Sequence, residues 1–136
     1  MGSLWTVTRV QVAAIAMVLA TAIGTWAQLQ FPFESEMLLD VRPMPGSKRV
    51  PILEILSNGR ATIDLWCMSG EGRVEVAGEA IRLMLGRMQE QGCNPERRAR
   101  DEELAVALSQ VTSWRREEDA LILVGPTELR YRLSTH

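Results

Sequence analysis

The chain has 136 residues, 46% of them hydrophobic and 24% charged, with a formal net charge of −2. That apolar content excludes an intrinsically disordered chain, and the length suits one domain with a core of its own. The slight acidity argues against a nucleic-acid binder, which carries a basic surplus.

The first 27 residues read as a targeting segment. Residues 1–9 hold one basic side chain, Arg9, and no acid, and residues 10–23 (VQVAAIAMVLATAI) are almost wholly apolar. Two small-residue sites follow, Ala20-Thr21-Ala22 and Thr25-Trp26-Ala27. Basic, apolar and small-residue regions in that order make a secretory signal peptide. Cleavage after Ala27 is preferred, because Gly24 would end the apolar helix just before it; cleavage after Ala22 is the other option. An uncleaved anchor is the competing reading, but about 14 apolar residues fall short of the ~20 that span a bilayer. Residues 28–136 are then a single domain with 14 basic and 17 acidic side chains, since only Arg9 is lost. The expected location is periplasmic or secreted, with an N-terminally anchored protein as the alternative.

Residues 28–34 (QLQFPFE) form an extended lead-in, with Phe31 and Phe33 placed to tack it onto the body. A first strand is expected over residues 35–41. Residues 42–48 (RPMPGSK) are a loop. A second strand starts near Pro51, which cannot donate to a sheet ladder. Asn58-Gly59 lies between apolar runs and favours a two-residue hairpin turn, because both residue types tolerate positive φ. Beyond it Ala61, Ile63, Leu65 and Cys67 fall on one face, with Thr62, Asp64 and Trp66 on the other. This places Cys67 on the core side and leaves Trp66 on the opposite face as a partner-surface candidate. Ser69-Gly70-Glu71-Gly72 is expected to turn the chain. Val74 and Val76 resume the alternation, Gly78-Glu79 turns again, and Ile81, Leu83 and Leu85 line one face. The segment from Gly86 to Gly92 is polar.

Asn94-Pro95 signals a helix start, with Asn as cap and Pro at the first helical position. The helix runs to about Gln110 and presents Leu104, Ala107, Leu108 and Val111 on one face. Residues 112–116 return to strand, residues 120–124 (ALILV) are apolar on both faces, and Leu129, Tyr131 and Leu133 alternate with charged residues. Strands, one helix and strands again imply a mostly antiparallel α+β domain, a curved or partly closed sheet with one helix packed against it.

Cys67 and Cys93 are the only cysteines. After export to an oxidising compartment they are expected to form a structural disulfide. A pair of free buried thiols is the rival, and the lack of Cys-x-x-Cys disfavours a redox pair. Two cysteines and a terminal His136 are too few for zinc, so neither metal nor cofactor is expected. No catalytic residues are assigned: the sole histidine is terminal, and Glu102-Glu103 and Glu117-Glu118-Asp119 read as solvated faces. Arg97, Arg98 and Arg100 are offset by nearby acids, and Gly70 and Gly72 do not fit a phosphate loop.

The order of these features resembles the META domain family, which includes the heat-shock protein HslJ of bacterial envelopes. Asn58-Gly59-Arg60 precedes a strand that ends in Cys67. Gly72-Arg73-Val74 and the hairpin from Gly78 to Leu83 follow, and Cys93 opens a helix bearing Glu102, Glu103, Leu104 and Leu108. Val111 to Trp114, Leu121-Ile122-Leu123 and Leu129 to Leu133 complete the match, which covers residues 36–133. The family often has Gly-Cys-Asn where this chain has Trp66-Cys67-Met68, and Thr-x-Met-x-Cys where it has Glu90-Gln91-Gly92-Cys93. The resemblance implies a small β-rich fold in an extracytoplasmic setting and no catalytic residues. The expected function is a non-enzymatic envelope protein, related to stress or envelope integrity, monomeric, with an envelope protein as its partner. The alternative is a secreted inhibitor or recognition module that docks through the sheet face near Trp66. An uncharacterised hydrolase is the third class.

Overall fold

Alternating apolar residues make short strands here, and the turns between them leave each strand no neighbour but the next. The computed structural model describes residues 30–135 together with Gly2. The leader reading, its cleavage sites and His136 otherwise lie outside the described residues. The elements are β1 (Glu36–Leu39), β2 (Ile52–Ile55), β3 (Arg60–Asp64), β4 (Met68–Ala77), β5 (Ala80–Glu90), α1 (Pro95–Ser109), β6 (Ser113–Glu117), β7 (Ala120–Val124) and β8 (Leu129–Leu133). Every pairing is antiparallel and follows chain order, and β8 returns to pair with β1, Met37 opposite Leu133. The expected curved sheet is therefore a closed barrel, which leaves no free edge strand.

One face of each strand fills the barrel. Met37, Leu53, Ile55, Ile63, Leu121, Leu123 and Tyr131 are almost fully buried there. Burial alone pushes the Tyr131 hydroxyl above its ordinary titration range. β7 is covered on both sides, as its composition requires. Leu121 and Leu123 point into the core, while Ala120 and Ile122 are buried outside it. The cross-strand neighbours of Ile122 are Arg115 and Arg130, whose stems can cover apolar surface while their heads stay wet. Those heads are held in place: Arg115 pairs with Glu117 at 3.0 Å and Glu128 at 2.9 Å. Arg130 pairs with Glu117 at 2.9 Å and Asp40 at 3.4 Å.

Two local expectations are corrected. The Asn58-Gly59 hairpin has three loop residues, not two. The Gly59 N–H donates to the Leu56 carbonyl and Leu56 N–H to the Arg60 carbonyl. Only Gly59 takes positive φ, at 84°, while Asn58 Oδ1 accepts from Arg60 N–H. This is a turn followed by a left-handed glycine, the next commonest hairpin after the two-residue form. Ser69 to Gly72 do not turn; they belong to β4, and the chain reverses earlier, where Leu65 N–H donates to the Met68 carbonyl. Gly72 serves close approach instead, since a Cβ there would stand 2.7 Å from the Met84 carbonyl oxygen. The segment after Gly86 is also strand, because β5 continues to Glu90 as the partner of β4.

The barrel's weakest seam lies between β5 and β6, where Ala80 and Ser113 are the only register pair. Trp114 closes it. Its backbone N–H donates to the Glu79 carbonyl at 3.0 Å and its indole N–H to the Gly78 carbonyl at 2.8 Å. Phe31 of the lead-in packs edge-on against the same ring at 5.1 Å. Glu34 then clasps the lead-in to the β2–β3 hairpin, accepting from the Ser57 hydroxyl at 2.7 Å and the Ser57 N–H at 3.1 Å.

Trp114→Phe keeps the ring but loses the indole bond, and should lower unfolding free energy by about 1–2 kcal/mol in urea titrations. The bonds from Ser57 hold Glu34 below the usual carboxylate range, as Arg115 and then Arg130 do for Glu117. A depressed folded pKa adds stability above the unfolded value of 4.5, which is lost as pH falls through the folded value. Tm should therefore decline below pH 4.5, and the Glu34→Gln, Glu117→Gln double variant should show a shallower decline.

Candidate functional site

The helix carries an acid on its apolar face. Asp101 shares that face with Leu104 and Leu108, three and seven residues on, and all three are buried. The helix start is the one expected: Asn94 Oδ1 accepts from Arg97 N–H at 2.9 Å, and Pro95 takes the first position. This sets α1 beside the β3–β4 turn with the Asp101 carboxylate, fully shielded from solvent, aimed at that turn. Trp66 N–H donates to Oδ1 at 2.6 Å; Cys67 N–H and Met68 N–H donate to Oδ2 at 2.9 and 2.7 Å. Three successive backbone donors thus meet one carboxylate. A buried charge is stable only when hydrogen-bonded in this way.

Cys67 and Cys93 are joined beside it, with Cα atoms 5.3 Å apart. The bridge ties the β3–β4 turn to the residue preceding the helix cap. Cys67 Sγ lies 3.2 Å from Asp101 Oδ2; a bridged sulfur carries no proton, so this is a contact and not a hydrogen bond. The two sulfurs and the carboxylate lie within 4.8 Å of one another, the spacing of a metal site. Here the sulfurs are bonded to each other and the carboxylate already accepts three N–H groups, so the trio offers no open ligand set.

The structure brings Trp66, Cys67 and Cys93 to this one corner, though not as strand alternation places them. β3 ends at Asp64, so Cys67 and Trp66 sit on the turn and not on opposite faces of a strand; both are half-buried. The Trp66 side chain lines a cleft of about 1040 Å³ between the β1–β2 loop and α1. Val41 and Val106, 41% and 54% exposed, lie along it, with Pro43 and Met44. Glu96, Glu102 and Glu103 also reach the cleft, all from one helix and all exposed. Glu103 pairs with Arg100 at 3.5 Å.

Asp101 is the residue that sequence reasoning missed. The available signal was an acid three and seven residues ahead of two apolar helix positions.

A family model described as META domain matches residues 33–135. The chain belongs to the META domain family. The match contains the whole barrel and α1, so the Asp101 corner of this META domain lies inside the family region. The fold is also similar to that of a DUF4847 family protein from Bacteroides vulgatus, known from a crystal structure. The TM-score is 0.52 at 12% identity, over 63% of this chain and 60% of that one, which is a likeness of fold alone. The META chain thus spans less than two thirds of that protein's length. No curated protein matches it.

Asp101→Asn replaces an acceptor with a group that turns an N–H toward other N–H donors. It should cost about 3 kcal/mol or more in urea denaturation. Removing the bridge with Cys67→Ser and Cys93→Ser should cost about 3.5 kcal/mol, the chain-entropy value for a loop of 26 residues. Combining the two changes should unfold the domain at room temperature, read by loss of the far-UV barrel signal.

Proposed function

We propose that this META domain protein is exported and acts without a reaction, by binding, in the periplasm or outside the cell. The observation that carries the reading is the Cys67–Cys93 bridge, which closes the turn beneath Trp66. A bridge of this kind persists in oxidising compartments and is rare in the cytosol. Among the described residues no helix is long and apolar enough to cross a membrane. The binding role rests on the cleft beside Trp66, where exposed apolar side chains line a concave surface. Its carboxylates are neighbours on one solvated helix, and Glu103 is engaged by Arg100. That favours a polar rim over a converging acid and base.

N-terminal sequencing of the protein from its native compartment should begin near Gln28, and thiol labelling under denaturing, non-reducing conditions should find no free cysteine. Two labelled thiols would overturn the bridge that carries this reading, and a membrane-bound chain still starting at Met1 would mean an anchored protein in place of a released one. A role in envelope integrity predicts a deletion strain sensitive to heat and detergent, restored by the wild-type chain.

The second reading, an inhibitor or recognition module, is favoured by the half-buried indole of Trp66 at the cleft's edge. It moves the docking surface from a sheet face to the cleft between the β1–β2 loop and α1. A partner held by the wild-type chain should be lost with Trp66→Ala while the far-UV spectrum is unchanged. Equal retention by both proteins would count against this surface.

A further inference from the structure

Trp66 also lines a second, smaller recess of about 130 Å³. It is framed by Ser47 and Arg49 of the β1–β2 loop, Ser69 of β4, Gln91 after β5, Arg97 of α1, and the bridged Cys67 as its wall. The lining contains two guanidinium groups and no acid. Among the described residues neither Arg49 nor Arg97 forms a salt bridge, although every other arginine on α1 does. Arg97 also reaches toward the loop at Gly46, and its Nε is buried without a hydrogen-bond partner. A buried donor left without an acceptor is unusual and calls for a missing one.

Asp101 accepts the N–H groups of Trp66, Cys67 and Met68. Asn94 is the acceptor for the Arg97 backbone and not for its side chain. Among the described residues no acceptor bonds the Arg97 side chain, whose Nε is one of two such buried nitrogens, with Arg116 Nε. Guanidinium forks match oxyanions with paired, charge-assisted bonds. The Ser69 hydroxyl and the Gln91 amide add neutral donors, whereas Ser47 donates its hydroxyl to the Arg49 carbonyl at 3.4 Å. The recess has room for a few groups the size of a water, at about 30 Å³ each, which suits a small tetrahedral anion better than a bulky ligand.

We propose that the recess between the β1–β2 loop and the start of α1 binds a phosphate-type oxyanion, clamped by Arg49 and Arg97. The ion is either free or the terminal group of a lipid headgroup. Cys67, whose N–H donates to Asp101 Oδ2, forms one wall of the site.

The test uses the oxidised mature chain. Inorganic phosphate, compared with chloride at matched ionic strength, should raise Tm by about 5 °C once it exceeds its dissociation constant tenfold. Calorimetric titration should show saturable uptake of one ion per chain. Arg49→Gln, at an exposed position, should keep the unliganded Tm and lose both responses, and Arg97→Gln should lose them too. Flotation with vesicles containing phosphatidic acid, against phosphatidylcholine alone, assigns the source. Binding to the former, blocked by Arg49→Gln, indicates a headgroup; a response to inorganic phosphate without flotation indicates the free ion. No response to either probe, or a response that survives both substitutions, overturns the proposal.

Discussion

The Asp101 carboxylate is the contact on which the geometry of the domain's business end depends. A tight reversal between two barrel strands leaves successive N–H groups pointing away from any ladder, and buried donors of that kind need an acceptor. Here one side chain, delivered by a helix more than thirty residues later, accepts from Trp66, Cys67 and Met68 together. The carboxylate is shielded from water, so its charge is tolerable only because those three dipoles converge on it. The arrangement fixes two things at once: the direction in which β4 leaves the turn, and the height at which α1 sits against the barrel. Leu104 and Leu108 then enter the core one and two turns farther along the same face.

That placement matters because the barrel closes unevenly. β3, β4 and β5 are joined by long ladders, whereas β5 and β6 share a single register pair. The helix connects those last two strands, so its position decides whether β6 arrives where Trp114 can reach the Gly78 carbonyl. An anchor midway along the helix and an indole bond just beyond its end thus hold the poorly laddered seam. The lead-in adds Phe31 over Trp114, covering apolar surface that the short β6 cannot.

Much of this was legible in the residues. Asn94-Pro95 marked the helix start, the Leu104–Ala107–Leu108–Val111 face went inward, and the doubly apolar 120–124 run is covered on both sides. What escaped has physical reasons. The glycines at 70 and 72 carry the usual sign of a turn, but in a closed barrel the same residue type also admits a close neighbouring strand, and only the pairing with Met88 and Leu85 distinguishes the two uses. Alternation placed Cys67 inside and Trp66 outside because a period of two has no means of signalling where a strand stops. Asp101 was hidden for a related reason. A charged residue within a run of mixed charges reads as solvated, and its burial is decided by backbone donors distant in sequence. Full closure of the sheet likewise rests on the pairing of β1 with β8, which no local pattern encodes.

The bridge and the carboxylate hold the same turn, yet they act on different states of the chain. A disulfide stabilises chiefly by limiting the unfolded ensemble, so its effect is felt whenever the chain opens. The three hydrogen bonds to Asp101 exist only in the folded state and set the turn's local shape. If the bridge is reduced in the folded protein, the turn keeps its donors and acceptor, and Trp66 stays at the rim of the cleft. Global stability falls while local geometry persists. Asp101 is therefore the determinant of where Trp66 stands, and Cys67–Cys93 the determinant of how often the whole domain opens. The half-buried indole and the arginine-lined recess beside it inherit their positions from the former and their lifetime from the latter.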